Sequence, residues 1–206
     1  MTIKIEKKTI LVNGVNVRCF YVGNGDIPVV LLHGAGVDSA MMSWAEVMEL
    51  LAEEYKVIAP DLPGYGGSER IGGEYTLQFY TDIVKGVIEA FECSPAVVAG
   101  LSLGGGICLN MALNYPELIK LLVPVDAWGI FPKLPYHRLT YWYTRSKIND
   151  NMYRWIGKYR SLIRWSLEYN LIGDKSKVTE ALVEEVQKAM LEPDAGKPFI
   201  SFQRSE

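Results

Sequence analysis

Short apolar runs alternate with longer stretches of helical periodicity over the first 126 residues. The apolar runs predict strands at Ile3–Val12, Val15–Val22, Pro28–Leu32, Lys56–Ala59, Ala96–Ala99 and Leu118–Val125. Between them, apolar residues recur at helical spacing in Asp38–Glu54, Thr76–Glu92 and Ile107–Asn114. Strands that alternate with helices in this way predict an α/β fold. Its sheet would be mostly parallel, with helices on both faces, and the last run would be another buried strand.

Turn and cap signals mark the ends of several of these elements. Asn13-Gly14 separates the first two apolar runs and predicts a tight hairpin. Thr76 is the predicted N-cap of the second helix. Ser43 and Glu46 have the spacing of a capping box near the start of the first helix.

The alternation of strands and helices stops after residue 126. Residues 133–165 hold eight Lys or Arg against one acidic residue and are rich in Tyr and Trp, and a helix is predicted at Val178–Leu191. We therefore predict two regions, with residues 1–126 as the N-terminal part of the core and residues 127–206 as a helical cap. The favoured interpretation of the basic, aromatic stretch is a layer whose aromatic side chains line a cavity while Lys and Arg face water. Attraction of an acidic substrate and contact with a membrane surface remain alternatives.

Composition narrows the classes of function. The balance of 24 acidic and 21 basic residues gives a formal charge of −3, which argues against a nucleic-acid partner. No apolar run has the length of a membrane span, and the first eight residues lack the apolar core of a signal peptide. The three cysteines, Cys19, Cys93 and Cys108, do not have metal-ligand spacing. We predict a cytoplasmic protein without stable membrane insertion, without a metal and without an organic cofactor.

The stretch from Gly100 to Gly106 carries the clearest chemical signal. A buried strand precedes it and a helix follows it, which is the context that a G-x-S-x-G nucleophile elbow requires. In such a turn the Ser102 hydroxyl lies at the positive end of a helix, and the Leu103 N–H is free to bind a developing oxyanion. No Lys-Ser/Thr pair follows the glycines, so a phosphate-binding P-loop is disfavoured. We predict that Ser102 is a nucleophile.

Two further motifs follow predicted strands, namely His33-Gly34-Ala35-Gly36 and the Pro- and Gly-rich loop Asp61–Ser68. Together with the elbow, they resemble the α/β-hydrolase superfamily, close to the esterase and C–C-bond hydrolase branches with a helical cap. The resemblance implies that the backbone N–H groups of Ala35 and Leu103 form the oxyanion hole. It also implies a pocket-lining or orienting role for the other members of the first motif, His33, Gly34 and Gly36. Serine at the elbow argues against the haloalkane dehalogenase and epoxide hydrolase branches, which place Asp there.

The catalytic base is the main departure from this family pattern. Serine needs a base, and in the family the acid and then the histidine follow the nucleophile. His33 precedes Ser102, so we expect it to be structural. His137 lies in the predicted cap, where a surface or pocket-lining role is favoured over that of a base. Asp126 ends a strand where some family members carry the acid, although capping the next turn is favoured.

The sequence stops at Glu206, before the last strands, acid and histidine that the family would supply. We expect a truncated chain, with a short pseudo-enzyme or an unusual base such as His137 as alternatives. The expected activity is Ser102-dependent hydrolysis of a small carboxylic ester. Hydrolysis of a C–C bond beside a ketone and a catalytically silent binding protein remain alternatives. The incomplete sheet should also expose an apolar edge through which the chain could self-associate.

Overall fold

The computed structural model describes residues 4–131 and 137–206. Within them, six strands form one sheet: β1 (Glu6–Val12), β2 (Val15–Val22), β3 (Ile27–Leu32), β4 (Tyr55–Pro60), β5 (Ala96–Leu101) and β6 (Ile119–Val125). The helices are α1 (Ala40–Leu51), α2 (Leu77–Ala90), α3 (Leu103–Asn114), α4 (His137–Thr144), α5 (Lys147–Gly157), α6 (Arg160–Ser166), α7 (Glu180–Leu191) and α8 (Lys197–Ser205). Single helical turns at Pro116–Leu118, Leu167–Leu171 and Lys175–Lys177 complete the described structure.

The strand order is β1-β2-β4-β3-β5-β6, and the pairs β3–β4, β3–β5 and β5–β6 are parallel. The hairpin β1–β2 and the pair β2–β4 are antiparallel. One face packs against α2 and α3 around a large buried cluster, and the other packs against α1. The predicted α/β class, with a mostly parallel sheet and helices on both faces, is confirmed.

Local turn and cap chemistry explains where several elements begin. Asn13 and Gly14 both have positive φ and join β1 to β2 in a tight hairpin, as predicted. The Thr76 side chain accepts a hydrogen bond from Phe79 N at 3.0 Å and caps α2, which confirms that prediction. The prediction of a capping box at Ser43 and Glu46 is wrong. Ser39 caps α1, and the Ser43 hydroxyl donates instead to the Asp38 carboxylate.

The sequence predicts that β6 is buried, but the structure shows that much of it is exposed. It pairs with β5 along one side, and within the described residues no strand pairs with its other side. The side chains of Leu121, Val123 and Val125 are 58%, 40% and 39% exposed. Their partners in the register, such as Val97 and Ala99, lie on the face that packs against α1, but α1 packs mainly against β2, β3 and β4. The strand is therefore apolar but uncovered.

The described residues from 137 onward are helical, and two packing arrangements occur among them. Helices α5, α6 and α7 share a small apolar cluster that includes Ile163 and Val186. Helix α8 instead packs against the main core, where Phe202 contacts the rings of Tyr80 and Trp128. The division of the chain at residue 126 stays a prediction. No helix among the described residues is long and apolar enough to cross a membrane.

Candidate active site

Ser102 lies in the tight turn between β5 and α3. Its backbone has φ 51° and ψ −108°, a combination that is strained for a residue other than glycine. The turn is held because Ser102 N donates to Val125 O at 3.0 Å, while Ser102 O accepts from Trp128 N at 2.9 Å. The serine is half-buried, and its hydroxyl makes no hydrogen bond within the described residues. This is the geometry that a nucleophile elbow requires.

Three glycines allow β5, α3 and the neighbouring chain to approach this closely. A Cβ on Gly100 would overlap the backbone of Gly104, and one on Gly104 would overlap the carbonyl oxygen of Leu32. A Cβ on Gly105 would lie 2.6 Å from the Cβ of Ala127. Because none of these contacts leaves room for a side chain, the glycines of the elbow are required by packing.

His33 has both ring nitrogens engaged with backbone groups. It is fully buried, its Nδ1 lies 2.7 Å from Gly34 O, and its Nε2 accepts from Leu62 N at 2.9 Å. A nitrogen next to a carbonyl must donate and a nitrogen next to an N–H must accept, so the proton is on Nδ1. Neither nitrogen is free to take a proton from Ser102. A trans peptide directs its C=O and N–H in opposite directions, so the bond to Gly34 O also restrains the direction of the Ala35 N–H from the β3 side.

The loop after β3 lies directly beside Ser102. A Cβ on Gly34 would lie 3.6 Å from the Ser102 Cβ, and Gly34 N donates to the Asp38 carboxylate at 2.7 Å. Within the described residues, neither the Ala35 N–H nor the Leu103 N–H has an acceptor. Two free backbone donors near the serine can bind a negative charge that develops on a carbonyl oxygen.

The candidate acid Asp126 lies beside Ser102, whereas the candidate base His137 lies at the start of α4. Asp126 lies in the turn beside Ser102, since its neighbour Val125 accepts from Ser102 N, and it has φ 43°. Its carboxylate is exposed and caps no turn within the described residues. His137 is the first residue of α4, and its side chain is outside the described residues. Asp126 makes no hydrogen bond to Ser102 in the part of the chain that the structure describes.

The predictions made from the sequence missed a charged cluster next to the site. The Asp61 carboxylate is fully buried and accepts four hydrogen bonds, from Arg18 Nε at 2.7 Å, the Arg18 terminal nitrogen at 2.6 Å, Ala40 N at 2.9 Å and Gly67 N at 2.9 Å. These bonds join β2, the start of α1 and the loop after β4. A buried aspartate after a strand was a visible signal, but its partner Arg18 is distant in sequence.

The sequence predicts that aromatic side chains after residue 126 shape a pocket, and the five candidates are Trp128, Phe131, Tyr141, Trp142 and Trp155. Trp128 is the one that contacts the elbow within the described residues. Its ring is half-buried between the core and Phe202, and its backbone N–H bonds to Ser102 O. The other four are more than half exposed: Phe131, Tyr141, Trp142 and Trp155. In this structure they do not line a cavity at Ser102.

Two cavities of about 480 and 300 Å³ lie beside helices α5, α7 and α8. The larger is lined mainly by α5 and α8, and the smaller by α7, the loop after β3 and the loop after β4. Tyr153 lines both cavities, and Ser102 lines neither. Among the described residues, no group of three His, Cys, Asp or Glu side chains is arranged to hold a metal ion.

Sequence comparison defines the class of protein. The profile of the family described as alpha/beta hydrolase fold matches residues 27–202, which is most of the chain. The strand order, the elbow at Ser102 and the loop after β3 agree with that class. The chain belongs to the α/β-hydrolase fold family.

Individual relatives are named as hydrolases. A 2-hydroxymuconate semialdehyde hydrolase of Pseudomonas sp. (strain CF600) is 36% identical over 128 residues, which are 61% of this chain and 45% of that protein. The uncharacterized hydrolase YugF of Bacillus subtilis (strain 168) is 31% identical over 185 residues, which are 84% of this chain and 62% of that protein. The chain thus spans about half the length of the curated relatives that it matches.

Solved structures show the same fold. The meta-cleavage product hydrolase CumD of Pseudomonas fluorescens IP01, solved as a variant complexed with acetates, is 30% identical with a TM-score of 0.73. That match covers 94% of this chain and 67% of CumD. Cfl2 from Burkholderia cenocepacia has a TM-score of 0.81 at 24% identity, and the match covers 98% of this chain and 71% of Cfl2.

Proposed function

We propose that this chain carries the nucleophile and oxyanion hole of a serine-type hydrolase. The Ser102 hydroxyl would attack a carbonyl carbon, and the N–H groups of Ala35 and Leu103 would bind the resulting oxyanion. The acyl group left on Ser102 would then be released by water. The observation that carries this proposal is the strained Ser102 turn, with an unbonded hydroxyl and two backbone donors that have no acceptor.

The names of the relatives support one substrate class. Some are named as hydrolases of 2-hydroxymuconate semialdehyde and 2-hydroxy-6-oxo-2,4-heptadienoate, and CumD is named as a meta-cleavage product hydrolase. These names favour a C–C bond beside a ketone over the small carboxylic ester expected from the sequence. In that reaction the serine adds to the ketone, the adjacent C–C bond breaks, and the leaving carbon takes a proton. A small ester remains the second candidate, because the same nucleophile and donors serve both carbonyl types.

The proposal also needs a base that accepts the proton of Ser102. Ser102 is a weak nucleophile unless a neighbouring group takes its proton. Both nitrogens of His33 are already used, which leaves His137 as the other histidine of the chain. Asp126 is placed in the turn next to Ser102, and we propose it as the candidate acid.

The test is the intact mass of the purified 206-residue chain before and after exposure to a fluorophosphonate. A single adduct that is lost in Ser102→Ala would support a working nucleophile. His137→Gln and Asp126→Asn then separate base from acid by the rate of adduct formation. Turnover of 2-hydroxymuconate semialdehyde against a p-nitrophenyl ester would decide the substrate class. A correctly folded chain that forms no adduct would contradict the proposal and favour the silent binding protein.

We also infer that the β6 edge lets two copies of the chain associate. The exposed row Leu121, Val123 and Val125 carries no charge, so it would meet the same apolar row of a second copy without like charges opposite each other. Sedimentation velocity over a range of concentrations tests this inference. A monomer at every concentration would contradict it.

A further inference from the structure

The two halves of the loop after β3 are held in different ways. His33 and Asp38 bond to the backbone of Gly34, so the first half is fixed by the core. Gly36 lies in the second half with φ +92°, and no heavy atom lies within 4 Å of the position that its Cβ would occupy. Its carbonyl accepts from the Tyr153 hydroxyl at 2.6 Å, which is its one hydrogen bond within the described residues. The second half of the loop is therefore tied to the cap helix α5.

Tyr153 is itself firmly placed. Its ring packs against Gly196, where a Cβ would lie 2.9 Å from the ring carbons, and against the apolar cluster of α6 and α7. The ring also lines both cavities. Burial raises the pKa of the Tyr153 hydroxyl, so the group keeps its proton and remains a donor.

We propose that Tyr153 is a positioning residue for the oxyanion hole, because its hydroxyl links the seating of cap helix α5 to the backbone that presents the Ala35 N–H. The proposal rests on the function proposed above for Ser102 and Ala35. A displacement of α5 would pull on Gly36 O, and the adjacent peptide units would turn with it. His33 holds the Gly34 end of this segment and Tyr153 holds the Gly36 end, so a cap that is not seated would leave the Ala35 N–H held from one side only.

The first experiment measures backbone amide hydrogen exchange in Tyr153→Phe, which removes the hydroxyl and keeps the ring. Exchange of the loop peptide covering residues 34–39 should rise by roughly fivefold to tenfold, as expected for loss of one buried hydrogen bond. Exchange in α5 and α7 should stay unchanged. The control is Tyr169→Phe, since Tyr169 is an exposed cap tyrosine that stacks on Trp165. An unchanged loop, or an equal rise throughout the cap, would overturn the proposal.

The second experiment measures the reaction of Ser102 with a fluorophosphonate in the same variants. The maximal rate of adduct formation should fall about tenfold in Tyr153→Phe, while the concentration for half-maximal rate stays the same. A merely structural role would weaken both or neither, and that result would overturn the proposal. If the unmodified chain forms no adduct, the proposed hydrolase function fails. Hydrogen exchange then still decides whether Tyr153 holds the loop.

Discussion

Strands β5 and β6 are parallel neighbours with similar apolar sequences and opposite surroundings. β5 lies inside the sheet, between β3 and β6, and leads into the elbow. β6 pairs on one side, and its apolar row is 39–58% exposed. An apolar run therefore predicts a strand, but whether that strand is buried depends on the elements that pack around it. Substitutions at the centre of the sheet should change the free energy of unfolding strongly, whereas those at the β6 edge should change it little and alter self-association instead.

Gly104→Val should have the largest effect. The new side chain would overlap the backbone of Leu32 and His33, and we expect a loss of more than about 4 kcal/mol or no folded protein. Soluble yield and urea unfolding measure this. Gly72→Val is the matched control, because nothing lies within 4 Å of its Cβ position. A stable Gly104→Val protein would show that the elbow packing is looser than the structure indicates.

Asp61→Asn should cost about 2–3 kcal/mol. The amide would direct a donor at Arg18 or at Gly67 N, where the carboxylate now accepts. The cost is below that of a fully buried pair because the Arg18 side chain is 33% exposed. Urea unfolding compared with the exposed control Glu49→Gln measures the difference. Equal stability of the two variants would contradict the importance of this cluster.

Ser102→Gly should stabilise the chain by about 1 kcal/mol, because glycine adopts the positive φ of the elbow without strain. Ser102→Ala removes the same hydroxyl but keeps the strain, so it should leave the free energy of unfolding nearly unchanged. Thermal unfolding of the pair measures the relief of strain less the entropy cost of glycine in the unfolded chain. A glycine variant less stable than the alanine variant would show that the flexibility of glycine in the unfolded chain outweighs the relief of backbone strain.

Val123→Lys should change the free energy of unfolding by no more than about 0.5 kcal/mol, because the side chain is already exposed. It should nevertheless abolish self-association, since an inserted charge blocks edge pairing. The measurement is sedimentation velocity beside Thr9→Lys, a control on β1, whose first four residues are exposed and polar. Unchanged association in Val123→Lys would move the contact to another surface.

The rate of thiol labelling should distinguish the centre of the sheet from its β6 edge with almost no change in stability. Burial raises the pKa of Cys108 to about 12, so at pH 8 only about one thiol in ten thousand is ionised. A cysteine introduced by Val123→Cys on β6 should have an ordinary pKa and react with a disulfide reagent within minutes. Fast labelling of Cys108 in the folded protein would contradict its burial.

The sequence predicted the fold well because its signals are local. The hairpin at Asn13-Gly14, the cap at Thr76 and the elbow at Ser102 each depend on a few adjacent residues. The exposure of Leu121 and the bond between Tyr153 and Gly36 depend on contacts between distant segments, which periodicity does not encode. Ser43 misled because its capping spacing also fits a residue within the first turn, four positions after the actual cap at Ser39. The assignment of site residues and the cytoplasmic location stay predictions.

The Asp61 cluster also has a consequence for the order of folding. Its donors come from residues 6, 21 and 43 positions away, so the carboxylate is satisfied only after the hairpin, α1 and the loop after β4 have met. Contacts that close such long loops tend to form late, beyond the rate-limiting barrier. We therefore expect the cluster to lower the unfolding rate much more than it raises the folding rate.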